Sequence, residues 1–237
     1  MKKSISRLIS LMKKEEFELD NSIEFLNLAT IIYMRFKMLM RGQIKSQGVK
    51  NKDTLIFIGR KVKLIHKKHI SLGRSVTLED YVEIDAISKQ GVNLGNNVRI
   101  GAYSKVKCTG TIRNLGKGLS MGDNSAVGEY SFFGAAGGIE IGENVIMGQN
   151  IRFHSENHIF DRIDLPIREQ GVTNQGISIG NDCWIGAGVV FLDGVTVGDG
   201  CVIGANTLVN KDIPPYSVAV GNPVKIVKNR RGLEEVK

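Results

Sequence analysis

The chain has 237 residues, 42% of them hydrophobic and 24% charged, which suits one folded domain with an appendage and excludes wholesale disorder. Taken alone, the formal charge of +8 nominates nucleic acid, an anionic membrane or an acidic ligand as partner. Its distribution narrows that choice: residues 1–69 hold 16 Lys/Arg against six acids, and residues 70–237 hold 16 against 18. The first third carries +10 and the remainder −2, so nucleic acid is not the expected partner.

In chain order, residues 1–55 read as a basic, mainly helical segment. Ile23, Leu26, Ala29, Tyr33 and Phe36 recur at helical spacing, and Gly42 is expected to end this helix. Two uses fit it. Its apolar face can dock as a cap on the open end of whatever follows, or residues 1–45 can make a peripheral membrane contact. No secretory signal and no apolar stretch of about 18 residues is evident. Cys108, Cys183 and Cys201 are too scattered for a disulfide framework and read as free thiols. A cytoplasmic protein is expected, at the inner face of the membrane if the basic segment binds lipid.

Residues 56–228 are governed by a period of six. From Ile141 the chain reads IGENVI, MGQNIR, FHSENH, and from Ile179 it reads IGNDCW, IGAGVV, FLDGVT, VGDGCV, IGANTL, VNKDIP. Earlier hexads start at Met121 (MGDNSA, VGEYSF, FGAAGG) and Leu94 (LGNNVR, IGAYSK, VKCTGT), with weaker copies from Leu72. Neither a helix nor a simple alternating strand has this period; a solenoid does. Three hexads should close a triangular coil of 18 residues, stacked on the next at roughly 4.8 Å. Position one points inward, placing Ile185 on Ile203, and Cys183 and Cys201 should stack as core residues. A narrow interior would account for the 6% aromatic content. Gly and Asn at positions two to four suit corners that need positive φ. The expected fold is an all-β solenoid, a parallel β-helix of hexapeptide repeats, with a tail at residues 229–237.

The repeat fails in two places. Residues 159–176 form an excursion containing Pro166, of the kind that commonly carries function in a regular solenoid. A two-residue slip at Gly137-Gly138 predicts a smaller bulge.

Four histidines exist, His66, His69, His154 and His158, and the last two stand just before the excursion. A histidine at such a break can serve as general base near neutral pH. Zinc held by His154 and His158, as histidines do in the gamma-class carbonic anhydrases, is the rival reading, but no Cys or Asp set completes the ligands. Trp184, the one tryptophan, falls on hexad position six, an outward corner where it can stack on a sugar ring or clamp the excursion.

The block from Gly176 to Val227, GISIGNDCWIGAGVVFLDGVTVGDGCVIGANTLVNKDIPPYSVAVGNPVKIV, resembles the C-terminal signature of the hexapeptide-repeat O-acetyltransferases. That family includes galactoside and maltose acetyltransferases and the capsule and lipopolysaccharide O-acetyltransferases. The resemblance is clear over residues 120–228 and weaker over 56–119. It implies a left-handed β-helix, a homotrimer with active sites between subunits, and acetyl-CoA as donor. His158 matches the family's catalytic base, with His154 as fallback, and the backbone N–H of Ala187 matches the oxyanion donor. Ala205, one coil further on, would flank the pantetheine arm. Lys211, Lys225 and Lys228 match cations near the CoA phosphates, with Arg230 and Arg231 as possible additions. Trp184 would help to hold the acceptor. No metal is implied.

The chain departs from the galactoside type where acidic residues would meet the sugar. The stretch Gly134-Ala135-Ala136-Gly137-Gly138 offers no carboxylate. The expected reaction is therefore acetylation of a sugar hydroxyl in a cell-surface polysaccharide or its precursor. An antibiotic hydroxyl is the alternative within the class, and a metal-binding or non-catalytic β-solenoid the alternative outside it.

Overall fold

Strands of two to five residues cannot satisfy their backbone groups alone, so each must lie on its equivalent in the next coil. The computed structural model, which describes residues 2–13 and 16–232, has this arrangement from Asn51 to Asn229. Each coil visits a first, a second and a third face, which hold seven, nine and seven strands. All stack in parallel except the last, Lys225–Asn229, which folds back against Ser217–Val220. The fold is a left-handed parallel β-helix with a helical segment at its N-terminal end. Of the expected tail, residues 233–237 lie outside the described residues.

Aliphatic residues fill the interior as the period requires. Ile185 lies over Ile203, and both are buried, each such side chain contributing about 1.5–3 kcal/mol. Cys183 and Cys201 are buried in the same two coils, and a thiol–thiol hydrogen bond together with burial pushes the Cys183 thiol upward. Burial pushes the Cys108 thiol up to about 12. All three pack as small apolar residues.

Two expectations are corrected. The 18-residue coil holds from Trp184 to Val202, but Phe57 to Thr77 spans 20 residues, Thr77 to Arg99 spans 22 and Arg99 to Ala126 spans 27. The extra residues leave the coil at one corner, between the third and first faces. There VKCTGT stops behaving as a hexad after Cys108, and residues 109–117 form a loop whose Thr109 hydroxyl donates to the Ile87 carbonyl. The interior also accepts aromatics. Phe133, Phe153 and Phe191 are fully buried and stacked, with ring centroids 4.9 and 5.0 Å apart, because the strand repeat is itself a ring-stacking distance.

The slip at Gly137-Gly138 is a tight turn, with Gly138 at φ 97°. Gly137 is needed there because a Cβ would lie 1.8 Å from the Ser155 carbonyl oxygen. Asn97, Asn124, Asn144 and Asp182 take positive φ at another corner. Less expected are Tyr81, Tyr103 and Tyr130 at φ 61°, 59° and 56°. A left-handed conformation costs a side chain roughly 1–2 kcal/mol. Ring stacking at 4.7 and 5.1 Å offsets part of that, at about 0.5–1.5 kcal/mol per pair.

Two helices precede the coils, α1 (Lys2–Lys13) and α2 (Phe25–Lys45). Contrary to the sequence expectation, α2 does not end at Gly42. A Cβ at that position would lie 1.8 Å from the Ile56 carbonyl oxygen, so the glycine lets the helix lie directly on the first coil. The docked side is also not the apolar one. Arg41 Nε donates to the Ile58 carbonyl at 2.9 Å, Lys45 Nζ to Val62 at 2.8 Å and Gln43 Nε2 to Thr54 at 2.6 Å. The Arg35 guanidinium stands 4.0 Å from the Phe57 ring centroid. Carbonyls of a first coil have no coil beneath them, and the helix supplies the missing donors.

This packing predicts that Gly42→Ala destabilises the protein by about 1–3 kcal/mol in chemical denaturation, as overpacking does. Leu26→Ala, on the exposed side of the same helix, should stay within about 0.5 kcal/mol of the parent.

Candidate active site

The corner between the third and first faces carries both departures from the coil, residues 109–117 and the arm that follows Ser155. The arm is not an irregular loop. Asn157–His158 pairs antiparallel with Val172–Thr173, and a short helix, α3 (Ile167–Gln170), closes the far end. The Gln170 side chain holds the interior of the arm, donating to the Arg162 and Leu165 carbonyls at 2.7 and 2.8 Å and accepting from the Arg162 N–H at 3.0 Å.

Two charged residues outside the arm fix it at its root. Asp193 accepts from the Thr173 hydroxyl at 2.9 Å and from the Gln175 and Gly176 N–H groups at 3.2 and 2.8 Å. Lys117 Nζ donates to the Asn174 carbonyl at 3.0 Å. Sequence reasoning passed over both. Asp193 sits in an ordinary hexad, and its only signal is its place one coil above the return limb. At the other extreme of the arm, Phe160, Ile163 and Ile167 are exposed.

His158 thus belongs to the arm and not to a coil. It is exposed, and among the described residues no side chain hydrogen-bonds its ring. His154 ends a strand of the third face, 6.0 Å from the Phe132 ring between centroids. Burial, and secondarily the charge of Arg152, lowers the His154 pKa below the ordinary histidine value, which favours the neutral ring. Among the described residues no group of three or more His, Cys, Asp or Glu side chains is placed to hold a metal ion. Lys211 follows the last strand of the third face and so lies at the same corner as the arm, further along the coil axis.

The other candidate residues are elsewhere. Trp184 does not occupy a corner: it lies within a strand of the second face, outward and 60% exposed. It belongs to a row of successive strand partners, Ile146, Trp184, Val202, Val218 and Lys228. Lys225 stands on the same final strand, opposite Val220. Ala187 and Ala205 follow at the corner between the second and third faces. Their N–H groups have no acceptor among the described residues. Gly148 and Gly186 lie beneath them, where a Cβ would come within 2.7 Å of the Ala187 nitrogen and 2.5 Å of the Ala205 nitrogen.

The candidates therefore form two groups. His154, His158 and Lys211 lie on the third face or its corner with the first, whereas Trp184, Ala187, Ala205, Lys225 and Lys228 lie on the second face or its corner with the third. In a triangular coil the corner bearing the arm is the vertex opposite the second face, so one chain does not bring His158 to Trp184.

Residues 176–211 match the family described as bacterial transferase hexapeptide (six repeats). A probable acetyltransferase of Mycobacterium tuberculosis is 37% identical over 163 residues, which is 69% of this chain and 53% of that protein. A Staphylococcus aureus protein described as a candidate acetyltransferase is 42% identical over 116 residues, 48% of this chain and 57% of its own. The chain thus spans about half the length of these curated relatives. Among solved structures, the N-acyltransferase AntD of Bacillus cereus, in complex with dTDP-4-amino-4,6-dideoxyglucose and coenzyme A, superposes with a TM-score of 0.53 at 18% identity. The superposition covers 80% of this chain and 89% of that one, and the likeness is one of fold. The repeat, the coil and these matches together make the chain similar to the hexapeptide-repeat acetyltransferases.

Proposed function

We propose that this protein transfers an acetyl group from acetyl-CoA to a sugar hydroxyl of a cell-surface polysaccharide or its precursor, at sites shared between the subunits of a homotrimer. The observation that carries the reading is the split just described. The arm of one copy, with its exposed apolar tip, can cross to the apolar row around Trp184 on the next. His158 then meets the free amides of Ala187 and Ala205, which neither group achieves alone. Rotational symmetry repeats one such contact around the ring until it closes.

In that site His158 takes the proton of the acceptor hydroxyl as the oxygen attacks the thioester carbonyl. The Ala187 N–H donates to the oxygen that becomes negative. Collapse breaks the C–S bond, and the proton leaves with the CoA thiol. Transfer is direct. Cys108, Cys183 and Cys201 are buried, which argues against a cysteine carrying the acetyl group. Lys211, Lys225 and Lys228 are exposed and suit phosphate as mobile point charges. The acetyltransferase names of the relatives and the coenzyme A bound by AntD support the donor. The absence of carboxylates from residues 134–138 supports an acceptor other than a simple galactoside. Contact of residues 1–45 with the inner face of the membrane fits the same reading, because a lipid-linked glycan precursor would be found there.

Thiol release from acetyl-CoA with a panel of glycan acceptors tests the chemistry. His158→Ala should cut turnover by about 10²–10⁴-fold with unfolding unchanged, and retained turnover would remove His158 from the role of base. Asp193→Ala, which frees three donors at the root of the arm, should speed limited proteolysis within residues 159–171 and raise KM for the acceptor. An unaltered cleavage rate would show that Asp193 does not hold the arm.

A further inference from the structure

We propose that the helical end of this protein is a docking surface for an anionic lipid bilayer, with the exposed side of α2 lying in the interface. The evidence is the way α2 is turned. A surface helix normally buries its apolar stripe and shows its charges to water. Here Arg35 and Gly42, seven apart, face the coils, and Arg41 and Lys45 spend their donors on carbonyls of the first one. The opposite side presents Leu26, Tyr33, Met40 and Ile44, which are 74, 57, 49 and 66% exposed. Beside this stripe an apolar cleft of about 500 Å³ lies between α1 and α2, lined by Ile5, Phe25, Ala29, Ile32 and Phe36 among others. A contiguous apolar surface of this kind marks an interaction site.

Charge decides the occupant. From Phe25 to Lys52 there is no Asp or Glu and there are six Lys/Arg; α1 adds four more without an acid. A second copy docked through this end would set like charge against like. An anionic bilayer opposes no such barrier. It accepts the apolar side chains at the boundary between headgroups and acyl chains and the cations among the headgroups. Lys37, on the exposed side and 4.2 Å from the Tyr33 ring centroid, is placed to reach those headgroups. Among the described residues no helix is long and apolar enough to cross a membrane, so α2 would lie on the bilayer. The contacts of Arg41, Gln43 and Lys45 keep it across the open end of the first coil, so the docked surface is held rigidly and the remaining coils stand away from it. Docking is independent of acyl transfer, and its failure would leave the acetyltransferase reading intact.

The test is cosedimentation of the full chain with vesicles of mixed phosphatidylglycerol and phosphatidylcholine, against vesicles of phosphatidylcholine alone. The protein should pellet with the anionic vesicles, less so as salt rises. Leu26→Gln, Met40→Gln and Ile44→Gln combined should lower its partition coefficient on the order of tenfold, with thermal unfolding little changed because these side chains are 49–74% exposed. Wild-type protein left in the supernatant, or a triple variant that pellets as well as wild type, would overturn the proposal. A triple variant that loses oligomeric mass in light scattering while wild type ignores vesicles would assign the surface to a second copy.

Discussion

The structure depends on one constraint, the hydrogen bonding of each short strand to its equivalent one coil away. Because the strands are too short to be stable alone, identical positions must recur at strand spacing, and any residue type placed there becomes a ladder. Aliphatic ladders make the core. The same geometry produces the buried Phe133–Phe153–Phe191 stack and the exposed tyrosine stack at one corner. It also makes insertion possible at a corner without disturbing the faces. Residues 109–117 and the arm both leave at the corner where the coil can lengthen while the registers across Gly134, Lys107 and His154 persist.

That geometry divides the chemistry. A face and its opposite vertex never meet within one triangular coil, and His158 and Trp184 are divided between those two places. The histidines keep company with the arm, and the tryptophan, the free amides and two lysines keep company with the second face. Neither group resembles a finished site. His158 has no side-chain partner for its ring among the described residues, and the arm ends in exposed apolar side chains. The proposed trimer would join the two groups without altering either.

Much of the fold was legible because a period of six is hard to mistake, and the inward stacking of Ile185 on Ile203 followed directly from it. The exceptions have physical reasons. Coil length cannot be read from the hexad alone, since the corner between the third and first faces absorbs extra residues while the faces keep their register. The side of α2 that docks was misread because hydrophobic spacing assumes that burial goes to apolar groups, whereas an open coil end first needs hydrogen-bond donors. Gly42 looked like a helix terminator and is a contact point with Ile56. At the site, the histidines and Trp184 stood out by rarity and position. Asp193 and Lys117 did not, because their roles lie in what crosses the corner above and below them.

The most direct test of a shared site is complementation between two inactive variants. His158→Ala and Trp184→Ala proteins, each assayed alone, should be strongly impaired. Unfolded together, mixed in equal amounts and refolded, they should recover activity on the order of one quarter of wild type, because that fraction of interfaces pairs an intact histidine with an intact tryptophan. A mixture no more active than its separate components, with subunit exchange verified, would contradict the account and place the whole site within one chain.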